Sequence, residues 1–361
     1  MSRLNVGKLI ASVGIRLPGF TDSTRPGGEQ GLMIYNSQSG IVEIFDGTEW
    51  NNVSTGSFTL NAVGGSEYES NGYKYHVFVG PGTFSVTEAK AGATIDVLVV
   101  AGGGGAGNYY YVGGSGAGGV VSVQNYPVQA IGNSAPVTVG AGGAYPYGNG
   151  SDSTFAGVLT AKGGGSGGGY PYAYNGKPGG SGGGGSLYVS ASGTASQPSL
   201  SQSTGSGQLV NNAGYNGGPG PGWPGNSSGG GGGGGAGSVG QPWQPGKCGD
   251  GGIGVQVSGF SAADHPQLAT AGKYGGGGGG GTYSPNAPAR KGYGGINPGG
   301  SSGDPQGQRY GGGNGGTSGP SAAGFASEAG MERTGGGAGG PDYPHSIGGG
   351  SGVVAIRYLT N

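Results

Sequence analysis

The stretch Gly229-Gly-Gly-Gly-Gly-Gly-Gly-Ala-Gly237 decides what this chain can be. A helix is a poor fate for it, since each glycine costs about 1 kcal/mol relative to alanine. A strand is little better, because there is no side chain to pack. Two states remain. One is a flexible linker. The other is an extended three-fold helix of the polyproline II kind, which makes no hydrogen bonds within itself.

The rest of the sequence chooses between them. Similar runs recur at Ala101–Gly107, Gly113–Gly119, Gly163–Gly169, Gly179–Gly185, Gly275–Gly281, Gly311–Gly316, Gly335–Gly340 and Gly348–Gly350. Linkers separate domains, and no segment between these runs is long enough to be one. The strict Gly-X-Y period of collagen is absent. Ordering seven residues costs roughly 7–14 kcal/mol of backbone entropy, and one hydrogen bond returns only about 0.5–1.5 kcal/mol. A lone rod is therefore unstable, whereas a bundle that bonds on every side is not. The runs are expected to form packed polyglycine rods. Interior positions should accept only Gly, with Ala or Ser where a face looks outward.

Two strand-like segments frame the glycine region. Thr94-Ile-Asp-Val-Leu-Val-Val100 runs into Ala101, and Gly352 runs into Val353-Val-Ala-Ile-Arg-Tyr358. Ahead of them, Ser57–Val63, Gly72–Val79 and Thr83–Thr87 read as short strands between glycine turns. Nearer the start, Gly31–Asn36 and Ile41–Trp50 alternate on either side of Ser37-Gln-Ser-Gly40, the pattern of a β-hairpin. The expected fold is thus mostly β and irregular, with almost no α-helix. It divides into a β-hairpin module over 1–55, a short β segment over 56–100, and a polyglycine-helix bundle over 101–361 closed by a C-terminal strand.

Composition excludes several functions. Of 361 residues, 101 are Gly, only 9% are charged, and the net charge is −1. That gives no basic patch for nucleic acid. Cys248 is the only cysteine, so neither a disulfide within the chain nor a zinc cluster can form. No apolar run approaches the roughly 20 residues of a membrane helix, and no secretory leader is read at the start. The triplets beginning at Asn52, Asn149 and Asn226 are read as chance matches to the glycosylation motif.

Catalytic motifs do not emerge. Gly-x-Gly-x-x-Gly spacings abound, but none follows a strand and opens a helix with an acid downstream. Gly246-Lys-Cys248 lacks the Ser or Thr of a phosphate loop. His76, His265 and His345 are far apart in sequence. No enzyme activity, cofactor or metal is expected.

The inserts between the rods are the chemically rich part. Of 21 Tyr, all but Tyr35, Tyr68, Tyr73 and Tyr75 follow residue 100. They cluster as Tyr109-Tyr110-Tyr111, Tyr145-Pro-Tyr147 and Tyr170-Pro-Tyr172-Ala-Tyr174, with Tyr283 and Tyr293 further on. Trp223 and Trp243 sit among Pro and Gly. Proline stiffens such segments and lowers the entropy lost on binding. Tyr and Trp offer large, rigid, amphipathic contact surfaces. These twelve residues are the candidates for ligand recognition, and the competing role for each is a lid over a rod end or packing between protomers.

Two resemblances sharpen this reading. The run Gly31–Trp50, GLMIYNSQSGIVEIFDGTEW, resembles small β-modules at the start of many tailed-phage fibre and virion proteins. The run from Tyr73 into Gly107 and the ending Gly352-Val-Val-Ala-Ile-Arg-Tyr358 are similar to glycine-rich domains of phage tail proteins. Structurally known relatives include distal adhesins of T-even-like long tail fibres, whose glycine helices stack in layers and present variable loops. The resemblance implies a structural virion protein, a tail fibre or fibre-tip adhesin, made in the host cytoplasm. Residues 1–55 would dock on other virion proteins, and a homotrimer is the usual symmetry. The loops would bind a host glycan or outer-membrane protein, without membrane insertion. The alternative is a capsid or neck decoration protein with a structural or weakly adhesive role. An ice-binding or cell-wall glycine-rich protein fits less well, because the inserts are bulky and irregular.

Overall fold

The computed structural model describes residues 17–38, 41–52, 60–90, 92–169, 174–187, 189–197, 208–222, 229–283, 292–295, 310–318, 326–340 and 347–360. The chain forms two compact units, residues 1–59 with Asn361, and residues 60–360.

The first unit is a four-stranded sheet. Its strands are β1 (Gly19–Phe20), β2 (Met33–Asn36), β3 (Ile41–Phe45) and β4 (Trp50–Asn52), in that spatial order. The expected hairpin is there, with Met33 opposite Ile44 and Tyr35 opposite Val42. One face holds a polar knot. Arg25 donates to both carboxylate oxygens of the buried Glu43, at 2.9 and 2.5 Å. The buried Asn36 donates to Asp22 and to Glu43 at 2.7 and 3.2 Å. The Asp46 carboxylate caps the next turn by accepting the N–H groups of Thr48 and Glu49.

In the second unit the strands come from both sides of the glycine region. Those before it are β5 (Leu60–Val63), β6 (Ser66–Ser70), β7 (Tyr73–Phe78), β8 (Gly82–Ala89) and β9 (Thr94–Val100). Within it lie β10 (Val120–Pro127), β11 (Ser134–Thr138), β12 (Ser153–Phe155), β13 (Leu159–Ala161) and β14 (Gln208–Ala213). Four two-residue strands follow: β15 (Val255–Gln256), β16 (Lys273–Tyr274), β17 (Thr282–Tyr283) and β18 (Thr317–Ser318). The chain returns as β19 (Val353–Leu359). A six-stranded sheet has the order β14-β10-β9-β19-β7-β6, and a five-stranded sheet the order β13-β12-β11-β8-β5. The segment 60–100 therefore shares its sheets with strands drawn from the glycine region.

The strand β9 explains the placement. Both of its faces are apolar, so both are covered. Ile95, Val97 and Val99 join Val121, Val354 and Ile356 in a core against Phe84, Val137 and Phe155 of the five-stranded sheet. Leu98 and Val100 join Val120, Val353 and Ala355 in a second core, closed by Val257, Phe260, Leu268 and Tyr274 of the 253–274 excursion. Arg357 ties that excursion down. It donates to Asp96 at 3.0 Å and to the Gly259 carbonyl at 3.1 Å, and lies over the Tyr73 and Phe260 rings.

Three strands run directly into rods at one sheet end. Val120 and Val353 both pair with Val100, which sets Ala101, Gly119 and Gly352 side by side. Beyond them the bonding changes. From Gly230 to Gly237 every N–H donates to a backbone carbonyl at 2.7–3.1 Å, and the partner changes with a period of three. Gly230, Gly233 and Ala236 donate to Gly281, Gly278 and Gly275. Gly231 and Gly234 donate to Gly185 and Gly182. Gly232 and Gly235 donate to Gln241 and Ser238. The carbonyls do likewise: Gly231 and Gly234 accept from Gly114 and Ala117, Gly230 and Gly233 from Gly249 and Gly252, and Gly232 from Gly218. This rod has six neighbours, as a three-residue repeat allows when no side chain intervenes. The rod 113–119 behaves the same way. Gly113, Gly116 and Gly119 donate to Gly168, Gly165 and Lys162, while Ser115 and Gly118 donate to Ala338 and Gly335.

One expectation is corrected. Ala and Ser do occur inside the bundle: Ala106, Ser115, Ala117, Ser166, Ser181, Ala236 and Ala338 are fully buried. Ser115 shows how one is accommodated, since its hydroxyl donates to the Gly105 carbonyl and accepts the Gly167 N–H. A small side chain is tolerated where it meets a gap or completes the bonding. Elsewhere a Cβ would collide. On Gly233 it would overlap the Ser115 carbonyl.

Gly233→Val is expected to prevent folding of the second unit, whereas Gly80→Val, where a Cβ meets nothing, should shift its melting temperature little. Circular dichroism of the two variants checks this, and a Gly233 variant as stable as the parent would refute the rod packing.

The sheet also predicts an acid sensitivity. His76 is fully buried between Phe84 and Tyr358, donates through Nδ1 to the Gly64 carbonyl at 2.8 Å, and lies 3.2 Å from the Tyr358 hydroxyl. Burial holds its imidazole below the ordinary value of 6.5, outweighing the opposing Gly64 bond and Glu67 charge. The unfolded chain thus takes up a proton first as pH falls. The contribution of His76 is complete above about pH 6.5 and is lost as pH drops towards the folded value. His265, also lowered by burial, adds in the same direction. Urea midpoints should fall between pH 7.5 and 5, and a flat profile would contradict the assignment.

Candidate functional site

Rod register places the loops. Gly281 donates to Val112, Gly230 to Gly281, Gly231 to Gly185, Gly113 to Gly168 and Gly316 to Gly340, so these positions share one end of the bundle. The residues that join the six-stranded sheet, Ala101, Gly119 and Gly352, lie at the other end of their rods. Between rods at the end away from the sheet come the turns around 108–111, 145–147, 174–175 and 242–248.

The candidate aromatic residues are brought together there. Tyr109 and Tyr110 pack edge to face with centroids 4.8 Å apart, and Tyr110 and Tyr111 lie 6.4 Å apart. Tyr147 and Tyr174 lie 4.6 Å apart. The Tyr145 hydroxyl donates to the side-chain oxygen of Asn108, and the Tyr147 N–H donates to Ala106, joining the 145–147 turn to the 108–111 turn. Gly169 and Tyr174 exchange backbone bonds at 3.1 Å, which closes the next loop beside them. Lys177 donates through Nζ to the Tyr147 carbonyl at 2.7 Å. Burial pushes the Tyr147 phenol up to about 12, so it stays protonated and able to donate.

Trp243 donates its backbone N–H to the Pro219 carbonyl, and its ring packs at the mouth of the 229–237 rod, beside Gly229 and Cys248. Burial pushes the Cys248 thiol up to about 12, which leaves it a packing residue and a poor nucleophile. Tyr293 stands further inside, on the segment 292–295, where its N–H bonds Asp250. Tyr283 belongs to β17, paired in parallel with β18. Tyr170, Tyr172 and Trp223 lie outside the described residues, as does His345.

The backbone under these rings is unusual. Tyr109, Tyr111 and Tyr147 hold φ angles of 75°, 57° and 61°. Left-handed geometry is cheap for Gly and tolerable for Asn, but costs a bulky residue of order 1–3 kcal/mol. All three stand in the bends and turns at 108–111 and 145–147 that join rods. Most of the described rings are half-buried, and Tyr174 is 42% exposed. The arrangement has little charge and much aromatic surface, suited to contact recognition. Sequence reasoning missed Asn108 and Lys177, the polar pegs of the cluster, because neither stands in a motif.

Replacing Tyr109 and Tyr111 together by Asn should leave the melting temperature within about 3 °C of the parent or raise it, since Asn accepts positive φ. A large loss of stability would make the tyrosines lids and nothing more.

Comparison with curated proteins gives no match. Residues 78–359 match the model of the glycine-rich domain, from the last residue of β7 to the last residue of β19, and the chain belongs to that family.

Proposed function

We propose that the protein is a structural component of a tailed-phage virion, a tail fibre or fibre-tip adhesin that presents its aromatic loops to the host surface. The observation that carries this reading is the gathering of Tyr109, Tyr110, Tyr111, Tyr145, Tyr147, Tyr174 and Trp243 at the rod ends away from the sheet, three of them on left-handed backbone. A rod of glycine has nothing to recognise a ligand with, so selectivity falls to the loops that the bundle holds at both ends. The resemblance of residues 31–50 to phage β-modules supports virion attachment through the first unit, in a homo-oligomer, by analogy a trimer. The partners are then other virion proteins on one side and a host glycan or outer-membrane protein on the other. Low charge at the loops implies little electrostatic steering and little salt dependence of binding.

A capsid or neck decoration protein is the second reading. It is favoured by the way the rings pack on one another, as lids would.

Adsorption separates the two. Particles carrying Tyr109→Asn, Tyr111→Asn and Tyr174→Ser should assemble normally and adsorb at least about tenfold more slowly, since losing one anchor costs about 2 kcal/mol or more. Unchanged adsorption would favour the decoration role.

A further inference from the structure

Five Asn-Gly pairs lie in the chain, beginning at Asn71, Asn149, Asn175, Asn216 and Asn314. Such a pair is chemically labile. The glycine nitrogen, unshielded by any side chain of its own residue, can attack the asparagine side-chain carbon ahead of it. The fold treats the five differently.

Four are held by the glycine region. The N–H groups of Gly150, Gly176, Gly217 and Gly315 donate to the carbonyls of Gly164, Ala191, Gly193 and Gly292 at 2.9–3.1 Å. Three of these asparagines are bound through their side chains as well. Asn149 accepts the Ser166 N–H through Oδ1 and donates through Nδ2 to the Pro178 carbonyl. Asn216 accepts the Ala195 N–H, and Asn314 the Gly294 N–H. In all four pairs the attacking nitrogen is already bonded to a neighbour, and moving it breaks that bond.

Asn71-Gly72 stands elsewhere. It is the two-residue turn between β6 and β7, closed by the pairing of Ser70 with Tyr73. Both residues are exposed and left-handed, with φ of 52° and 77°, as such a turn demands. β6 is an edge strand, and a Cβ on Gly72 would meet nothing within 4 Å. Among the described residues neither the Gly72 N–H nor the Asn71 side chain has a hydrogen-bond partner. Ring closure needs Asn71 to swing out of its left-handed state. A hairpin tip at a sheet edge opens at far less cost than a rod bonded on every side.

We propose that Asn71 is a site of spontaneous deamidation, and that the glycine region keeps the other four Asn-Gly pairs intact. The Gly72 N–H gives its proton to hydroxide, and the nitrogen bonds to Asn71 Cγ. The Cγ–Nδ2 bond breaks, and Nδ2 takes a proton from water and leaves as ammonia. Water then opens the cyclic imide at either carbonyl, which gives aspartate or isoaspartate at that position. Either product adds a negative charge to an edge that Glu67 and Glu69 already make acidic. Isoaspartate also adds a methylene to the turn whose Gly72 carbonyl accepts the Thr360 N–H, so the hairpin tip and the end of the chain loosen together. This holds whatever the aromatic loops recognise.

Peptide mapping by mass spectrometry tests it on the full chain, aged at mildly alkaline pH. In the folded protein Asn71 should convert at least about tenfold faster than Asn149, Asn175, Asn216 or Asn314. In concentrated urea the five rates should draw together, because the fold alone separates them. Equal rates in the folded chain would overturn the proposal, as would an Asn71 that stays intact while any of the other four converts. A difference that persists in urea would trace it to the neighbouring sequence and overturn it too.

Discussion

Along most of the central rods, a neighbour's carbonyl oxygen occupies the place where a Cβ would stand. On Gly232 a Cβ would meet Asp250, on Gly233 Ser115, on Gly277 Gly233 and on Gly278 Ala338, each time at backbone oxygen. Close approach is what lets a three-residue repeat bond to six neighbours. The same closeness excludes almost every other residue. Bonding and composition are thus one constraint, and it accounts for the glycine content without any appeal to flexibility.

Such rods cannot start themselves, because a single one gains too few bonds to offset its ordering entropy. The sheet supplies the start. Ala101, Gly119 and Gly352 leave it side by side because Val100 pairs with both Val120 and Val353. Apolar burial, limited in the described rods to a few small side chains such as Ala106 and Ala236, is concentrated there in two cores on opposite faces of β9. Arg357 fastens the 253–274 excursion over one of them through Asp96 and Gly259. The chain therefore divides its labour. Side chains fold the sheet end, and backbone bonding extends that order away from it.

Much of this was legible in the sequence. The hairpin at Met33–Phe45, the strand Thr94–Val100 and the closing strand from Val353 follow from alternation and turn residues alone. The rods follow from the number of glycine runs. The strands at Val120–Pro127 and Ser134–Thr138 were not legible, because short apolar stretches between rods read as loops until their partners are known. Buried Ser115 and Ala236 were missed for a related reason. Whether a Cβ fits depends on how two rods are staggered, and no local pattern encodes stagger. In the candidate site the aromatic residues stood out by composition. Their left-handed backbone and their pegs Asn108 and Lys177 did not, since both arise from tertiary closure of the turns.

The three-residue period also decides where this architecture can change. Adding one residue inside the 229–237 rod turns every later residue by a third of a revolution. Gly233 would then take the place of Gly234 and its bond to Gly182, and the shift would be passed along the rod until Ala236 stood in the place of Gly237, where a Cβ meets the Gly254 carbonyl. Adding a residue at 108–111 or 145–147 alters no rod, because the closing bonds at Gly113 and Gly148 lie beyond the insert. Loop closure itself grows only slowly more costly with length. Rods are therefore rigid in length and nearly fixed in composition, while the loops are free in both. A surface that must vary without disturbing its scaffold has to be built from those loops, and that is where the tyrosines are.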